Sequence, residues 1–345
     1  MLKRKIILES EGKIARCMKV MSKKSKTADA SVTGGAAVLP RSGRKLSVGN
    51  RRSLELSMMV LIPMIILIIF KYVPMFGVIL AFKDFQYEGI MQSPWVGLKN
   101  FKFLFSSQDA WRITKNTLGL NFLFILTTQI GGIVFAIILN EIRSRGAIRF
   151  YQTAMFMPHI LSSSVLAYVA FAFLDVNYGF LNRFLMMIGN ESIQWYSEPS
   201  YWPAILVIIN LWKGLGYSVI IYYASLMGID STYYEAASID GANRWQSTWH
   251  ITLPMLLPIT ITLFLMNIGK IFYADFGLFY MVPKDSGMLY PTTDVIDTYV
   301  YRALRQGGDT GIAAATGLYQ SIVGFCLVLF TNWLVKRYDK DYGLF

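Results

Sequence analysis

Cysteine and histidine are nearly missing from this chain, with two of each in 345 residues. Cys17 sits in a polar N-terminal stretch and Cys326 in an apolar run, so the two are not placed to pair, and neither speaks for an oxidising compartment. With His159 and His250 they form no spacing that a zinc or iron site uses; both histidines read as structural, and no metal site is expected. The phosphate-cradling pattern G-x-x-x-x-G-K-[ST] is also missing. The Gly-Lys pairs at Gly12 and Gly269 lack the upstream glycine and the following hydroxyl. No nucleophile elbow appears. The sequence thus offers no catalytic residue and no nucleotide site of its own.

Charge is scarce as well. Only 16% of the residues are charged and 54% are apolar, with a mean hydropathy of +0.43, whereas a soluble globule carries about 25% charged and about 45–50% apolar residues. The expected solvent is a bilayer. The net charge of +12 would point to nucleic acid if it were spread over a folded surface. It is instead concentrated in Met1 to Ser53, where fourteen Lys or Arg face three acids, a balance of +11. That stretch reads as a basic, disordered tail, residues 1–53, kept in the cytoplasm, where it serves as a solvated orientation signal or attracts anionic membrane lipid headgroups; no nucleic acid is expected as a partner. It is not read as a signal peptide, because Lys3, Arg4 and Lys5 are followed by only Ile6, Ile7 and Leu8 before Glu9.

The remainder, residues 54–345, holds six apolar runs: 56–82, 117–139, 150–174, 202–227, 254–281 and 312–335. Each reaches the length of a membrane-spanning helix, and Pro63 and Pro74 are expected to kink the first rather than abolish it. The short link holding Arg143, Arg145 and Arg149 belongs on the cytoplasmic side by the positive-inside rule. Lys83, Lys99, Lys102, Arg112 and Lys115 lie on an expected outer loop and run against that rule, but the tail outweighs them. Six spans leave both termini inside. The expected fold is all-α and polytopic.

Between the fourth and fifth runs lies the most informative stretch, Tyr233 to Pro258, reading YYEAASIDGANRWQSTWHITLPMLLP. Glu235, Ala236 and Ala237 open a helical run, with Glu235 expected to meet the positive end of the helix dipole. Gly241 permits a sharp bend, and Ile251, Leu253 and Pro254 lead back to the membrane. The spacing of EAA, Gly and Ile-x-Leu-Pro resembles the EAA loop of permease subunits of bacterial ABC importers. Flanking strings, KYVPMFG with FKDF, DFGLFY and PTTDVIDTYVYRAL, resemble the oligosaccharide and polysaccharide branch of the maltose-type permeases.

The resemblance implies a type I ABC importer permease fold, with residues 231–254 forming a cytoplasmic coupling helix that docks on a separate ATPase. It implies Glu235, Ala236, Ala237 and Gly241 as coupling contacts, with Ile251, Leu253 and Pro254 setting the path of the next helix. The implied partners are a second permease subunit, two ATPase subunits that bind ATP and Mg, and an extracytoplasmic solute-binding protein, all at the bacterial cytoplasmic (inner) membrane. The chain itself needs no cofactor.

Polar residues at membrane depth are the candidates for touching cargo. Asn210 and Lys213 share a face of the fourth run, and Asn267, Lys270 and Tyr273 share a face of the fifth. At ~1.5 Å per residue Lys213 lies ~16 Å and Lys270 ~24 Å into their runs, within a ~30 Å core. Trp212, Tyr217, Tyr273 and Phe276 offer rings for stacking on sugars, or serve as packing and interfacial anchors. Two intramembrane lysines favour an acidic saccharide, unless Asp275 pairs with Lys270. An ion-coupled secondary sugar transporter working without an ATPase is the alternative; it would show internal repeats and paired intramembrane carboxylates, and the sequence shows neither. A membrane scaffold that only docks a partner is a third reading, against which the polar faces of the fourth and fifth runs speak.

Overall fold

The computed structural model describes residues 46–86, 89–106, 108–307 and 309–338, and the chain divides into two units, Met1–Leu67 and Ile68–Phe345. In the first unit helix α1 (Leu46–Leu67) starts inside the stretch expected to be a tail. Residues 46–53 are helical because extending an existing apolar helix backwards adds one backbone bond per residue fixed, without a new nucleus. The rest of the expected tail, with Cys17, lies outside the described residues.

The second unit is helical. Its main elements are α2 (Lys99–Ser106), α3 (Gln108–Asn140), α4 (Arg145–Ile160), α5 (Ser163–Leu174), α6 (Phe180–Met187), α7 (Trp202–Leu226), α8 (Ser231–Ile239), α9 (Arg244–Ser247), α10 (Leu253–Ile268), α11 (Ile296–Arg302) and α12 (Thr310–Tyr338). Extended pairing among the described residues is limited to one antiparallel bridge between Lys83 and Trp95. By length and hydropathy, five segments suit a membrane crossing: Ser57–Phe82, Asp109–Asn140, Pro199–Leu226, Arg244–Ile268 and Thr310–Arg337. The pair α4 and α5 makes a sixth if counted as one.

Two expected spans are not single helices. The third, 150–174, breaks at Leu161 and Ser162 with a bend of 101°. The Ser162 hydroxyl accepts from the Val165 amide and caps a new helix there, so a local side-chain bond competes with helix continuation. The fifth, 254–281, ends as an α-helix at Ile268; the chain turns through 269–272, runs unwound to 275 and re-forms a π-helical turn at Gly277–Met281.

Unwound backbone at membrane depth persists only where protein groups satisfy it. Here three side chains do so. Asn121 Nδ2 donates to the Ile271 carbonyl at 2.7 Å, Gln320 Nε2 donates to the Phe272 carbonyl at 2.9 Å, and Asp297 Oδ2 accepts from the Ala274 amide at 2.8 Å. Asn121 and Gln320 are buried on α3 and α12, so the break is clamped from two sides. Asn121→Leu and Gln320→Leu are each expected to cost about 1–3 kcal/mol, the penalty for orphaning a buried carbonyl. A lowered thermal midpoint in nanodiscs checks this.

Close helix approach sets the rest of the packing. Without a hydrophobic drive between helices in lipid, small residues let backbones meet. A Cβ on Gly216 of α7 would sit 2.1 Å from the Met155 carbonyl oxygen of α4. One on Gly132 of α3 would sit 2.1 Å from Ser218 Oγ of α7. Around these contacts lie two apolar clusters: Ala136, Leu139, Val219, Tyr222, Leu226 and Leu256 near the EAA stretch, and another at the opposite end that includes Leu166, Trp202, Leu206, Leu278 and Leu289.

Candidate functional site

The EAA stretch folds as a helical hairpin. Asp230 caps α8, its carboxylate accepting from the Thr232 amide at 3.0 Å, a bond that holds the Asp230 pKa below the ordinary value. The positive end of this helix is therefore met by Asp230, not by Glu235 as expected. Glu235 lies a turn further on, exposed, with its carboxylate accepting from the Ser231 hydroxyl at 3.2 Å. Gly241 ends the helix. Its φ of +78° is left-handed, and the Ala242 amide reaches back to the Ala237 carbonyl at 2.9 Å while the Gly241 amide reaches Ser238 at 3.2 Å. This is the Schellman termination, for which a glycine carries no Cβ penalty.

The second arm starts with a capping box between Asn243 and Gln246. A π-helical turn, Thr248–Thr252, contains Ile251 and joins α9 to α10. Leu253 and Pro254 open α10 directly after the π-helical turn, so the missing proline N–H falls where the hydrogen-bond register changes. The Tyr234 hydroxyl lies 3.0 Å from Thr252 Oγ1, tying the arms together. Arg244 pairs with Glu141 at the end of α3 at 2.5 Å, fixing the hairpin against the bundle. Between the arms is a cleft of about 330 Å³ lined by Ala237, Gly241, Gln246 and Ile251, among others. The hairpin exposes large apolar side chains: Tyr233, Ile239, Trp245 and Trp249, with Ile239 87% exposed. Ala236 is exposed and Ala237 half-buried.

The candidates for the polar path come together in part. Asn210 Nδ2 lies 3.4 Å from Thr128 Oγ1, so it bridges α7 to α3. Lys213 Nζ lies 2.7 Å from Asp275 Oδ2. The expected alternative partner for Asp275 was Lys270; the unwinding after Ile268 removes the helical register that would have joined them. Asn267, Lys270 and Tyr273 likewise do not share one helix face, since α10 ends between the first and second. All three are exposed. The Tyr273 hydroxyl lies 3.0 Å from Ser321 Oγ of α12, and among the described residues no carboxylate lies within ion-pair distance of Lys270.

The sequence reading missed the part played by the break between α4 and α5. His159 stacks on Tyr217 with ring centroids 5.2 Å apart, and Tyr217 is one turn from Lys213. Ser163, just past the break, touches Gly277, where a Cβ would meet Ser163 Oγ at 2.2 Å. Asp275 also accepts from the Leu278 amide at 3.2 Å and so anchors the π-helical turn. Two backbone interruptions thus face each other, with Lys213 of α7 bound to one of them. The signal available in sequence was the run Ser162 to Ser164 after Pro158. Of the other rings, Trp212 lines an apolar pocket with Leu166, Phe173 and Ile205, and Phe276 stacks on Tyr280 at 4.9 Å.

A family model described as binding-protein-dependent transport system inner membrane component matches residues 129–340. The polygalacturonan/rhamnogalacturonan transport system permease protein YteP of Bacillus subtilis (strain 168) is 32% identical over 319 residues, 92% of this chain and 99% of YteP. Two solved structures contain a chain of the same fold, each with a TM-score of 0.77. One is of a bacterial ABC transporter involved in the import of the acidic polysaccharide alginate, at 33% identity, covering 86% of this chain and 100% of that chain. The other is of a bacterial alginate ABC transporter in complex with alginate pentasaccharide-bound periplasmic protein, at 34% identity, covering 86% and 99%.

Proposed function

This chain belongs to the family of binding-protein-dependent transport system inner membrane components, and from that premise we propose that it is one permease subunit of an ATP-driven importer of oligosaccharides or polysaccharides, with acidic saccharides as the preferred cargo. It is a transport component and not an enzyme. The observation that carries the reading is the hairpin of α8 and α9, whose helices are N-capped by Asp230 and Asn243, which meets the bundle through Arg244 and Glu141 and carries exposed aromatic and aliphatic residues. A rigid lever with an apolar face suits a cleft in an ATPase subunit. Glu235, Ala236, Ala237 and Gly241 are its proposed contacts, while Ile251, Leu253 and Pro254 pass its movement into α10.

In the assembled importer this chain works with a second permease subunit, two ATPase subunits that hold ATP and Mg, and an extracytoplasmic solute-binding protein. The EAA hairpin and both termini face the cytoplasm. ATP-driven closure of the ATPase pair pushes the two hairpins together and turns the path outward; hydrolysis lets it return. Among the described residues, ion pairing at membrane depth joins Lys213 to Asp275 and does not set two carboxylates against each other, as an ion-coupled carrier working alone would require.

Acidic cargo is supported by Lys270, exposed at the break and without a carboxylate in ion-pair distance among the described residues, and by relatives whose cargo is polygalacturonan or alginate. Lys213 contributes no free charge, since Asp275 neutralises it. The two lysines are therefore expected to behave differently. Lys270→Met should impair uptake of a uronate oligomer while leaving assembly and basal ATP hydrolysis near normal. Lys213→Met should leave the folded yield close to wild type and affect both oligomers alike, because Asp275 is exposed and keeps its bond to the Leu278 amide. Vesicle uptake of a uronate oligomer against a neutral one of equal length is the test, and preference for the neutral sugar would end the acidic reading.

A further inference from the structure

A second cavity lies beside the π-helical turn Gly277–Met281, between it and the start of α5. It has a volume of about 320 Å³, within the range of small-ligand sites, and Tyr168, Tyr280, Lys284 and Ser164 are among its lining residues. The backbone beside it is unusual: Lys284 (φ 57°) and Asp285 (φ 49°) are consecutive left-handed residues, and they are the non-glycine residues of positive φ among those described. Such conformations persist only where the surroundings over-determine them, and they cluster at ligand clamps. Here Asp285 is tied inward, its Oδ1 accepting from Arg302 NH1 and from the Tyr290 hydroxyl, both at 3.0 Å. Ser286 Oγ then holds the Tyr196 carbonyl at 3.2 Å. The anchored turn forces Lys284 outward over the cavity rim.

The Lys284 ammonium rests 3.0 Å from the centroid of the Phe171 ring and 5.3 Å from that of Tyr196, with no carboxylate in ion-pair contact among the described residues. The nearby acids are engaged elsewhere. Asp285 is held by Arg302 and Tyr290, and Asp175 accepts from the backbone amides of Asn177 and Tyr178 at 3.0 and 2.7 Å. Desolvation, opposed by the Asp175 charge, holds the Lys284 pKa below its ordinary value, as befits a cation short of an anion. Beside it stands Tyr168, 74% exposed, and Tyr280, whose ring is steadied by Phe276 and Tyr301 at 4.9 and 5.0 Å.

We propose that this cavity is a uronate subsite at the outer mouth of the path, in which Lys284 takes a sugar carboxylate and Tyr168 and Tyr280 face the ring. A cation beside an aromatic wall fits an acidic pyranose better than a neutral one, because charge and ring faces are recognised together. The inference rests on the reading of this chain as a saccharide permease and adds a site remote from Lys270.

The test uses the importer as it purifies with its partner subunits. An oligogalacturonate is expected to protect Lys284 from an amine-acylating reagent, read by peptide mass spectrometry against the exposed Lys99, whereas the carboxyl-reduced neutral oligomer is not. In proteoliposomes Lys284→Met should raise the half-saturating concentration for uronate about tenfold, the loss of one charge-assisted contact, with neutral uptake unchanged and Lys284→Arg restoring most of it. Tyr168→Ala, which removes an exposed ring and does not threaten folding, should weaken uptake of both oligomers. Equal labelling of Lys284 with and without uronate, or unaltered uronate uptake by Lys284→Met, overturns the subsite while leaving the importer reading in place. A wild type that imports only the neutral oligomer overturns the subsite together with the acidic-cargo reading and leaves the saccharide-importer reading standing.

Discussion

Gly216→Val is expected to abolish the folded protein. Its Cβ would lie 2.1 Å from the Met155 carbonyl oxygen, 2.4 Å from that carbonyl carbon and 2.6 Å from the Phe156 Cα. All three atoms are backbone, so no rotamer change relieves the clash and α7 must move away from α4. That movement opens the contact next to the break at Leu161 and disturbs Lys213, one turn away on the same helix. The cost should exceed about 4 kcal/mol, the range reserved for overpacking without relief. Gly119→Ala is the matching control: it sits in α3 with nothing within 4 Å of a built Cβ, and the helix gains about 1 kcal/mol of propensity. Size-exclusion profiles of detergent extracts should show no monodisperse Gly216→Val and normal Gly119→Ala. A full yield of Gly216→Val would mean that the two backbones do not meet as described.

Gly241 yields the opposite signature, with folding kept and transport lost. A Cβ at Gly241 meets nothing within 4 Å, so the chain itself has room for a side chain. The obstacle is the left-handed φ of +78°, which costs a β-branched residue about 1–3 kcal/mol. As an equilibrium between the observed hairpin and a distorted one, that corresponds to about a 5–150-fold loss of the docking-competent form. Gly241→Val should therefore insert and extract like wild type but transport at a small fraction of its rate. Gly241→Asp should behave likewise, since its carboxylate enters the proposed ATPase cleft. Gly241→Asn separates the two causes, because asparagine tolerates the left-handed region. If strain alone matters, Gly241→Asn transports nearly normally; if the open space is the footprint of the ATPase, it is as defective as Gly241→Val. Normal transport by all three, with full ATPase recruitment, would remove the hairpin from the coupling role, and Glu235→Lys, expected to weaken ATPase docking, is the companion measurement.

Much of the fold was legible because it rests on local and compositional rules. Apolar runs long enough to cross a bilayer are set by residue type and length alone, and the helical hairpin by Glu-Ala-Ala, a glycine and Leu-Pro at fixed spacing. A glycine at a Schellman turn and a proline in the first turn of a helix are decisions the backbone makes within a few residues. The family resemblance rested on the same stretch, and the match over residues 129–340 agrees with it.

What the sequence could not decide were the places where distant residues settle a local choice. Whether the apolar run after Ile268 stays helical depends on Asn121, Gln320 and Asp297, three side chains from other helices that accept or supply the hydrogen bonds an unwound segment needs. Whether Asp275 neutralises Lys270 or Lys213 depends on that unwinding, since helical register fails once the helix ends. Three of the five basic residues between Lys83 and Asn116 that run against the positive-inside rule find partners in the same way. Lys83 is buried and donates to the Ile90 and Met91 carbonyls, Lys99 pairs with Asp84, and Arg112 pairs with Asp109 and Asp294. Sequence alone determined which segments prefer lipid and that the chain turns at Gly241, because those are sums over neighbouring residues. Tertiary structure decided which polar groups remain free to meet a solute, because a polar group at membrane depth is defined by the partner it finds, and those partners lie as far as 179 positions away.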